Sequence, residues 1–79
     1  MNKRIEINTK ILMGKPVIKG TRIPVYIILN FLAHDYNFER IIKAYPVLKK
    51  QDIRAALEYS EKRLKREEIF PLTFKQAIG

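Results

Sequence analysis

The sequence predicts a mainly α-helical domain, with three helices in a helix-turn-helix or winged-helix-like core and a short N-terminal β-hairpin before them. Apolar residues recur at helical spacing in three segments after residue 23, and residues 4–23 have the alternation and breaks of short strands. The second and third helices are separated by only about four residues. The 79 residues fit one domain at most, so its core is small.

The segment before the helices is predicted to form short strands and tight turns. Residues 4–8 alternate charged and apolar side chains, and Val17 and Ile18 form a second extended pair. Gly20 lies in the turn that follows and is free to adopt a positive φ. Because such short strands are not stable alone in water, we expect them to pack on the helices or to pair with a second chain.

The first helix is predicted to begin at Pro24, since a proline N–H is not needed in a first helical turn, and to end near residues 34–35. Its apolar residues cover much of its circumference, which indicates a central position. They are Val25, Ile27, Ile28, Leu29, Phe31 and Leu32.

The second helix has clear signals at both of its ends. Asn37 is a good N-cap, and Tyr36 and Ile41 have the spacing of a hydrophobic staple. Pro46 ends the helix, because the residue before a proline is disfavoured in the α region.

The third helix follows the connector 46–49 and is predicted to run to about Glu68. Leu48 and Ile53 fit a second staple, and Asp52 lies in the first turn, where the helix dipole favours an anion. The expected inner face comprises Ile53, Ala56, Leu57, Ser60 and Leu64. We therefore divide the chain into a helix-turn-helix domain at residues 1–68 and an interaction tail at residues 69–79.

The charge of the chain is strongly positive and unevenly distributed. Sixteen Lys and Arg residues oppose eight Asp and Glu residues, giving +8. Residues 1–22 carry six basic residues and one acidic residue, residues 49–66 carry seven and three, and the segment between them is balanced. This pattern favours a polyanionic partner such as nucleic acid, although a merely solvated, lysine-rich surface has the same composition.

The short connector predicts that the second and third helices cross steeply, as in a helix-turn-helix unit. In that geometry the start of the second member enters the DNA major groove. Arginine pairs with guanine, glutamine pairs with adenine, and lysines beside the helix start reach phosphates. The predicted DNA-binding residues of this helix are Lys49, Lys50, Gln51 and Arg54. The alternative is a solvated polar stripe, since helix-turn-helix shapes also occur in proteins that bind no DNA.

Catalytic and metal-binding constellations are missing from the sequence. The chain has no cysteine and one histidine, His34, and its carboxylates are dispersed beside basic neighbours. We therefore expect no enzymatic activity, no metal site and no cofactor. Without disulfides to supplement a small core, self-association as a homodimer is expected.

Neither a membrane span nor a signal peptide is indicated by the sequence. The longest nearly apolar run, residues 23–33, is too short to cross a bilayer. Polar residues occupy the position where a signal peptide has its apolar core. The expected location is cytoplasmic.

Residues 14–25 carry a specific resemblance to a known family. They read Gly-Lys-Pro-Val-Ile-Lys-Gly-Thr-Arg-Ile-Pro-Val and closely resemble the signature of the DUF433 family of small bacterial and archaeal proteins, which are described as antitoxin-like. The similarity covers roughly residues 5–65. In the helices it is carried by Ile41, Ile42, Tyr45, Pro46, Leu48, Asp52, Ile53, Ala55, Ala56 and Leu57.

The resemblance implies an antitoxin of a type II toxin–antitoxin pair, similar to VapB-type antitoxins. Such a protein neutralises a PIN-like toxin and represses its own operon. Lys19 and Arg22 lie in the matching motif and are candidate DNA contacts. The candidate toxin contacts are the apolar residues of the tail, Ile69, Phe70, Leu72 and Phe74. A protein-interaction module, or a solitary transcriptional regulator without a toxin, is the alternative.

One residue departs from the family pattern. Family members commonly have Thr or Ser at the position of Lys49, where the side-chain oxygen caps the third helix. Lysine cannot accept that hydrogen bond, so either a looser helix start or a phosphate contact is expected.

Overall fold

A two-stranded hairpin and three helices make up the computed structural model of the protein, which describes residues 3–72 and the side chains of residues 3–66. This confirms the predicted mainly helical fold with an N-terminal hairpin. The elements are β1 (Ile5–Glu6), a short helical turn (Leu12–Gly14), β2 (Val17–Ile18), α1 (Val25–Ala33), α2 (Phe38–Ala44) and α3 (Lys50–Leu72).

The hairpin is antiparallel and shorter than its sequence pattern suggests. Ile5 pairs with Ile18 and Glu6 with Val17, and an isolated bridge joins Val17 to Pro24. Ile5, Val17 and Ile18 are buried. The strands therefore pack on the helices, which is one of the two arrangements that we expected for them.

The turn after β2 is built as the sequence predicts. Gly20 has a φ of +82°. The Thr21 hydroxyl donates to the Ile18 carbonyl at 2.7 Å and accepts from the Ile23 backbone N–H at 3.0 Å. This closed turn directs the chain from the hairpin into α1.

A left-handed turn at residues 12–14 is not predicted by the sequence. Leu12, Met13 and Gly14 have φ angles of +48°, +57° and +83°. Only glycine adopts this region at little cost, so Leu12 and Met13 are strained. Met13 is also 93% exposed, and its side chain therefore gains little from the fold.

The helix α1 is central, as predicted, but it begins one residue later than expected. Pro24 is the N-cap, with an extended backbone, and does not lie within the first turn. Val25 and Ile28 are buried. Further apolar residues of α1 pack against the core cluster, namely Leu29, Phe31 and Leu32.

The Asn37 cap and the end before Pro46 that the sequence predicts for α2 are both confirmed. The Asn37 Oδ1 atom accepts from the Arg40 backbone N–H at 2.8 Å, and the helix ends at Ala44, just before Tyr45 and Pro46. The Tyr36 ring lies 4.7 Å from that of Phe31, measured between centroids. These contacts fix the start of α2 against the end of α1.

The inner face of α3 differs from the predicted one. Ile53, Ala55 and Ala56 are buried, whereas Leu57 and Leu64 are 40% and 55% exposed. The predicted stripe is thus wrong at the two leucines, because β1, α1 and α2 pack on α3 and the residues that they bury lie in its first two turns. The helix also continues to Leu72, beyond the predicted end near residue 68.

Candidate nucleic-acid interface

The start of α3 is anchored by the connector before it. Leu48 and Ile53 are both buried, so the predicted staple pair lies in the core. The Leu48 backbone N–H donates to the Tyr45 carbonyl at 2.9 Å, which closes the turn after α2. The connector of residues 45–49 therefore sets the position of the first turn of α3.

Asp52 closes the N-terminus of α3. Its Oδ2 atom accepts from the backbone N–H of Lys49, the residue at the N-cap position, at 2.9 Å. This is the half of a capping box in which the N3 side chain reaches back to the N-cap N–H. The looser helix start considered for Lys49 is therefore not observed, and the Lys49 side chain remains exposed.

The same carboxylate binds the N-terminal segment. The Arg4 Nη1 atom donates to Asp52 Oδ1 at 2.9 Å, and Asp52 is buried while the Arg4 side chain is 43% exposed. The Lys19 backbone N–H donates to the Arg4 carbonyl at 2.8 Å. Arg4 thus links the hairpin to the start of α3. The sequence gives no signal for this pair, because its members are 48 positions apart.

The four predicted DNA-binding residues at the start of α3 are all exposed: Lys49, Lys50, Gln51 and Arg54. Gln51, Arg54 and Glu58 follow one another at helical spacing and line a surface groove together with the buried Ala55. The polar edge of α3 is thus available to a ligand along its first two turns.

The opposite wall of this groove is formed by Lys3 and Arg4. Neither residue is among the predicted DNA contacts, although the sequence shows an excess of basic residues in the segment 1–22. The groove therefore has an excess of basic residues, with Lys3 and Arg4 on one side and Arg54 beside Glu58 on the other. Its lining residues contribute three positive charges and one negative charge, from Lys3, Arg4, Arg54 and Glu58.

Of the two candidate DNA contacts in the turn after β2, Lys19 is bonded through its backbone to a residue that lines this groove. Lys19 and Arg22 are both exposed. Neither residue is among those that line the groove. The Lys19 backbone N–H donates to the carbonyl of Arg4, so Lys19 lies next to the wall that Lys3 and Arg4 form.

The candidate toxin contacts are not described at side-chain level. Ile69, Phe70 and Leu72 lie on the backbone of α3, in the part whose side chains are outside the described residues. Phe74 is outside the described residues altogether. The prediction for the tail therefore stays a prediction.

Among the described side chains within residues 3–72, no cluster of three or more His, Cys, Asp or Glu residues could hold a metal ion. No helix in that range has the length and apolar character needed to cross a membrane. The Nδ1 atom of His34 lies 2.8 Å from the Asn30 carbonyl oxygen, which accounts for this histidine as a helix-end residue.

Comparisons with known proteins agree with the fold. A relative from Sinorhizobium fredii, named Uncharacterized protein y4eO, is 43% identical over 51 residues, which are 65% of this chain and 23% of that protein. The crystal structure of a DUF433 member from Anabaena variabilis is similar with a TM-score of 0.74 at 26% identity. That match covers 82% of this chain and 64% of the other. The chain thus spans about a quarter of the curated relative and less than two thirds of the solved one.

The family model that matches the sequence is described as a protein of unknown function, DUF433, and covers residues 5–60. This range includes both strands, α1, α2 and the first half of α3. The chain belongs to the DUF433 family.

Proposed function

We propose that this protein is a dimeric, cytoplasmic DNA-binding antitoxin that represses its own operon and neutralises a PIN-like toxin. The observation that carries the DNA-binding part is the exposed polar edge at the start of α3, where Gln51 and Arg54 line an open basic groove. The toxin-binding part rests on the family resemblance and on the apolar tail at residues 69–74.

The chemistry of this edge suits a DNA duplex. The guanidinium of Arg54 matches the acceptor pair of guanine, and the amide of Gln51 matches the donor and acceptor of adenine. Lys49 and Lys50 stand at the N-terminus of the same helix, where ammonium groups and the helix dipole both favour phosphate. Because buried Leu48 and Ile53 fix the helix start, these side chains are presented from a rigid element.

Two substitutions test the DNA-binding part. Arg54→Ala should weaken binding to the DNA upstream of the protein's own operon by about 5- to 150-fold and relax the preference at one base pair, because a bidentate arginine contributes about 1–3 kcal/mol. Lys50→Ala should weaken binding to all sequences alike. Fluorescence anisotropy on the upstream duplex and on single-base-pair variants measures both effects, with circular dichroism as a control for folding.

Unchanged affinity and unchanged sequence preference in both variants would overturn the assignment of α3 as the recognition helix. This assay measures DNA binding alone, so it does not distinguish an antitoxin from a solitary regulator that has no toxin. Co-purification with the product of the adjacent reading frame separates those two possibilities.

A protein-interaction module is the second candidate function. Leu57 and Leu64 favour it, since both are large, apolar and exposed on α3 beyond the last residues of the core. In this case the basic blocks would match an acidic face of the partner protein. The module function would hold if the adjacent gene product binds while the upstream duplex does not.

A further inference from the structure

We propose that the groove between residues 3–4 and α3 holds the sugar–phosphate backbone of one DNA strand, with Lys3 as a phosphate contact and Arg4 as the residue that positions the outer wall. This inference rests on the proposed DNA binding and deepens it. It adds a second element, the N-terminal segment, to the recognition helix.

The shape of the groove supports this placement. Its inner wall, on α3, comprises the exposed Gln51 and Arg54 and the buried Ala55. Its outer wall is Lys3 and Arg4. If α3 enters the DNA major groove, its side chains face the base edges. The outer wall then lies beside the sugar–phosphate backbone that borders the major groove.

The outer wall is held in place by contacts to two elements. The Arg4 guanidinium donates to Asp52 of α3, and the Arg4 carbonyl accepts from the Lys19 backbone N–H. A wall fixed in this way keeps the groove open without a ligand. Because Arg4 is engaged with Asp52, the neighbouring Lys3, which is exposed, is assigned the phosphate contact.

The charge of the groove favours a phosphodiester over an acidic protein surface. Even with Arg4 paired with Asp52, Lys3 and Arg54 outweigh Glu58, so an anion is attracted. Gln51 and Arg54 add hydrogen-bonding groups that match bases, which a carboxylate-bearing protein face does not require. Glu58 is the only carboxylate among the lining residues, and it should oppose a phosphate that passes close to it.

The salt dependence of DNA binding tests the contact at Lys3. Each neutralised phosphate contributes about −0.9 to the slope of log K against log salt concentration. Lys3→Ala should therefore flatten the slope by about 0.9 and weaken binding to all sequences equally. The matched control is Lys10→Ala, which removes another exposed lysine that does not line the groove and should leave the slope unchanged.

Glu58→Gln provides a test of opposite sign. Removing this negative charge should tighten binding to the duplex severalfold at low salt and by less at high salt, and a gain of affinity cannot arise from a misfolded variant. Unchanged or weaker binding would place the strand elsewhere.

The outcomes separate this inference from the proposed function. If Arg54→Ala impairs binding while Lys3→Ala has the wild-type slope, the protein binds DNA but not through this groove, and the inference is overturned. If Lys3→Ala instead weakens binding to the adjacent gene product and leaves DNA binding intact, the groove is a protein site and the inference is overturned as well. If the wild-type protein binds no DNA, both the proposed DNA-binding function and this inference are overturned.

Discussion

Asp52 joins two distant parts of the chain through its two carboxylate oxygens. One oxygen accepts from the Lys49 backbone N–H and the other from the Arg4 guanidinium. Both bonds are lost in Asp52→Ala, and two part-buried donors are left without this acceptor. We expect the free energy of unfolding to fall by about 2 kcal/mol, as measured by urea denaturation.

Arg4→Ala is the control for that experiment. The Arg4 side chain is 43% exposed, so solvent screens its ion pair and the expected loss is only about 0.5 kcal/mol. An Asp52→Ala variant no less stable than Arg4→Ala would show that the bond to Lys49 contributes nothing to the helix start.

Met13 is strained and almost fully exposed. Its φ of +57° is costly for any residue with a Cβ. Met13→Gly should therefore raise the free energy of unfolding by about 0.5–1 kcal/mol, even after the larger entropy of the unfolded glycine chain is subtracted. Met13→Ala removes the side chain but keeps the strain, and we expect it to match the wild type; a stabilised alanine variant would contradict the strain argument.

Local contacts at this scale were predictable from the sequence, and distant ones were not. The Asn37 cap and the Leu48–Ile53 staple depend on spacings of three to five residues, which a sequence displays directly. The Arg4–Asp52 pair spans 48 positions and follows only from the packing of β1 on α3. The left-handed Met13 carries no signal, because methionine has no preference for that region.

At the scale of elements, the helix α3 changes character along its length. Its first two turns are buried on one side, while residues 61–66 are exposed. Side chains four residues apart interact there, with Lys65 Nζ at 3.3 Å from Glu61 Oε2 and Arg63 Nη1 at 3.3 Å from the Tyr59 hydroxyl. Such pairs support a helix where the core does not.

The exposed leucines of α3 should contribute more to binding a partner protein than to the stability of the fold. In a Leu57→Gln, Leu64→Gln double variant, we expect the free energy of unfolding to fall by only about 1 kcal/mol, since Leu57 and Leu64 are 40% and 55% exposed and neither belongs to the buried core. Co-purification with the adjacent gene product should be lost, because the apolar stripe is removed. The control is Lys62→Gln on the same helix, which should co-purify normally. Retained co-purification by the double variant would exclude this stripe as a contact.

The predicted stripe on α3 failed because periodicity describes one helix and says nothing about how far its neighbours extend. Helical periodicity places Ile53, Ala56 and Leu57 on one face of α3. Only Ile53 and Ala56 are buried by neighbouring elements, whereas Leu57 is 40% exposed. The exposure of Lys49, Lys50, Gln51 and Arg54 was predictable, because polar residues at a helix start need no partner element to be exposed.

For the molecule as a whole, the fold joins charges that the sequence separates. The basic blocks at residues 1–22 and 49–66 are divided by a balanced segment, yet Lys3 and Arg4 face Arg54 across one groove. The composition predicted how much positive charge there would be. Its arrangement depends on tertiary packing, and so the N-terminal wall could not be placed from the sequence.

The signature at residues 14–25 owes its apolar positions to packing. Val17, Ile18 and Val25 are buried, and the Thr21 hydroxyl closes the turn between them. Sequence similarity in this segment therefore indicates a shared fold and does not indicate which partner the protein binds. Two proteins with the same hairpin are free to differ at the polar edge of α3, and a choice of operator or toxin is better inferred by comparing those surface positions than by matching the motif.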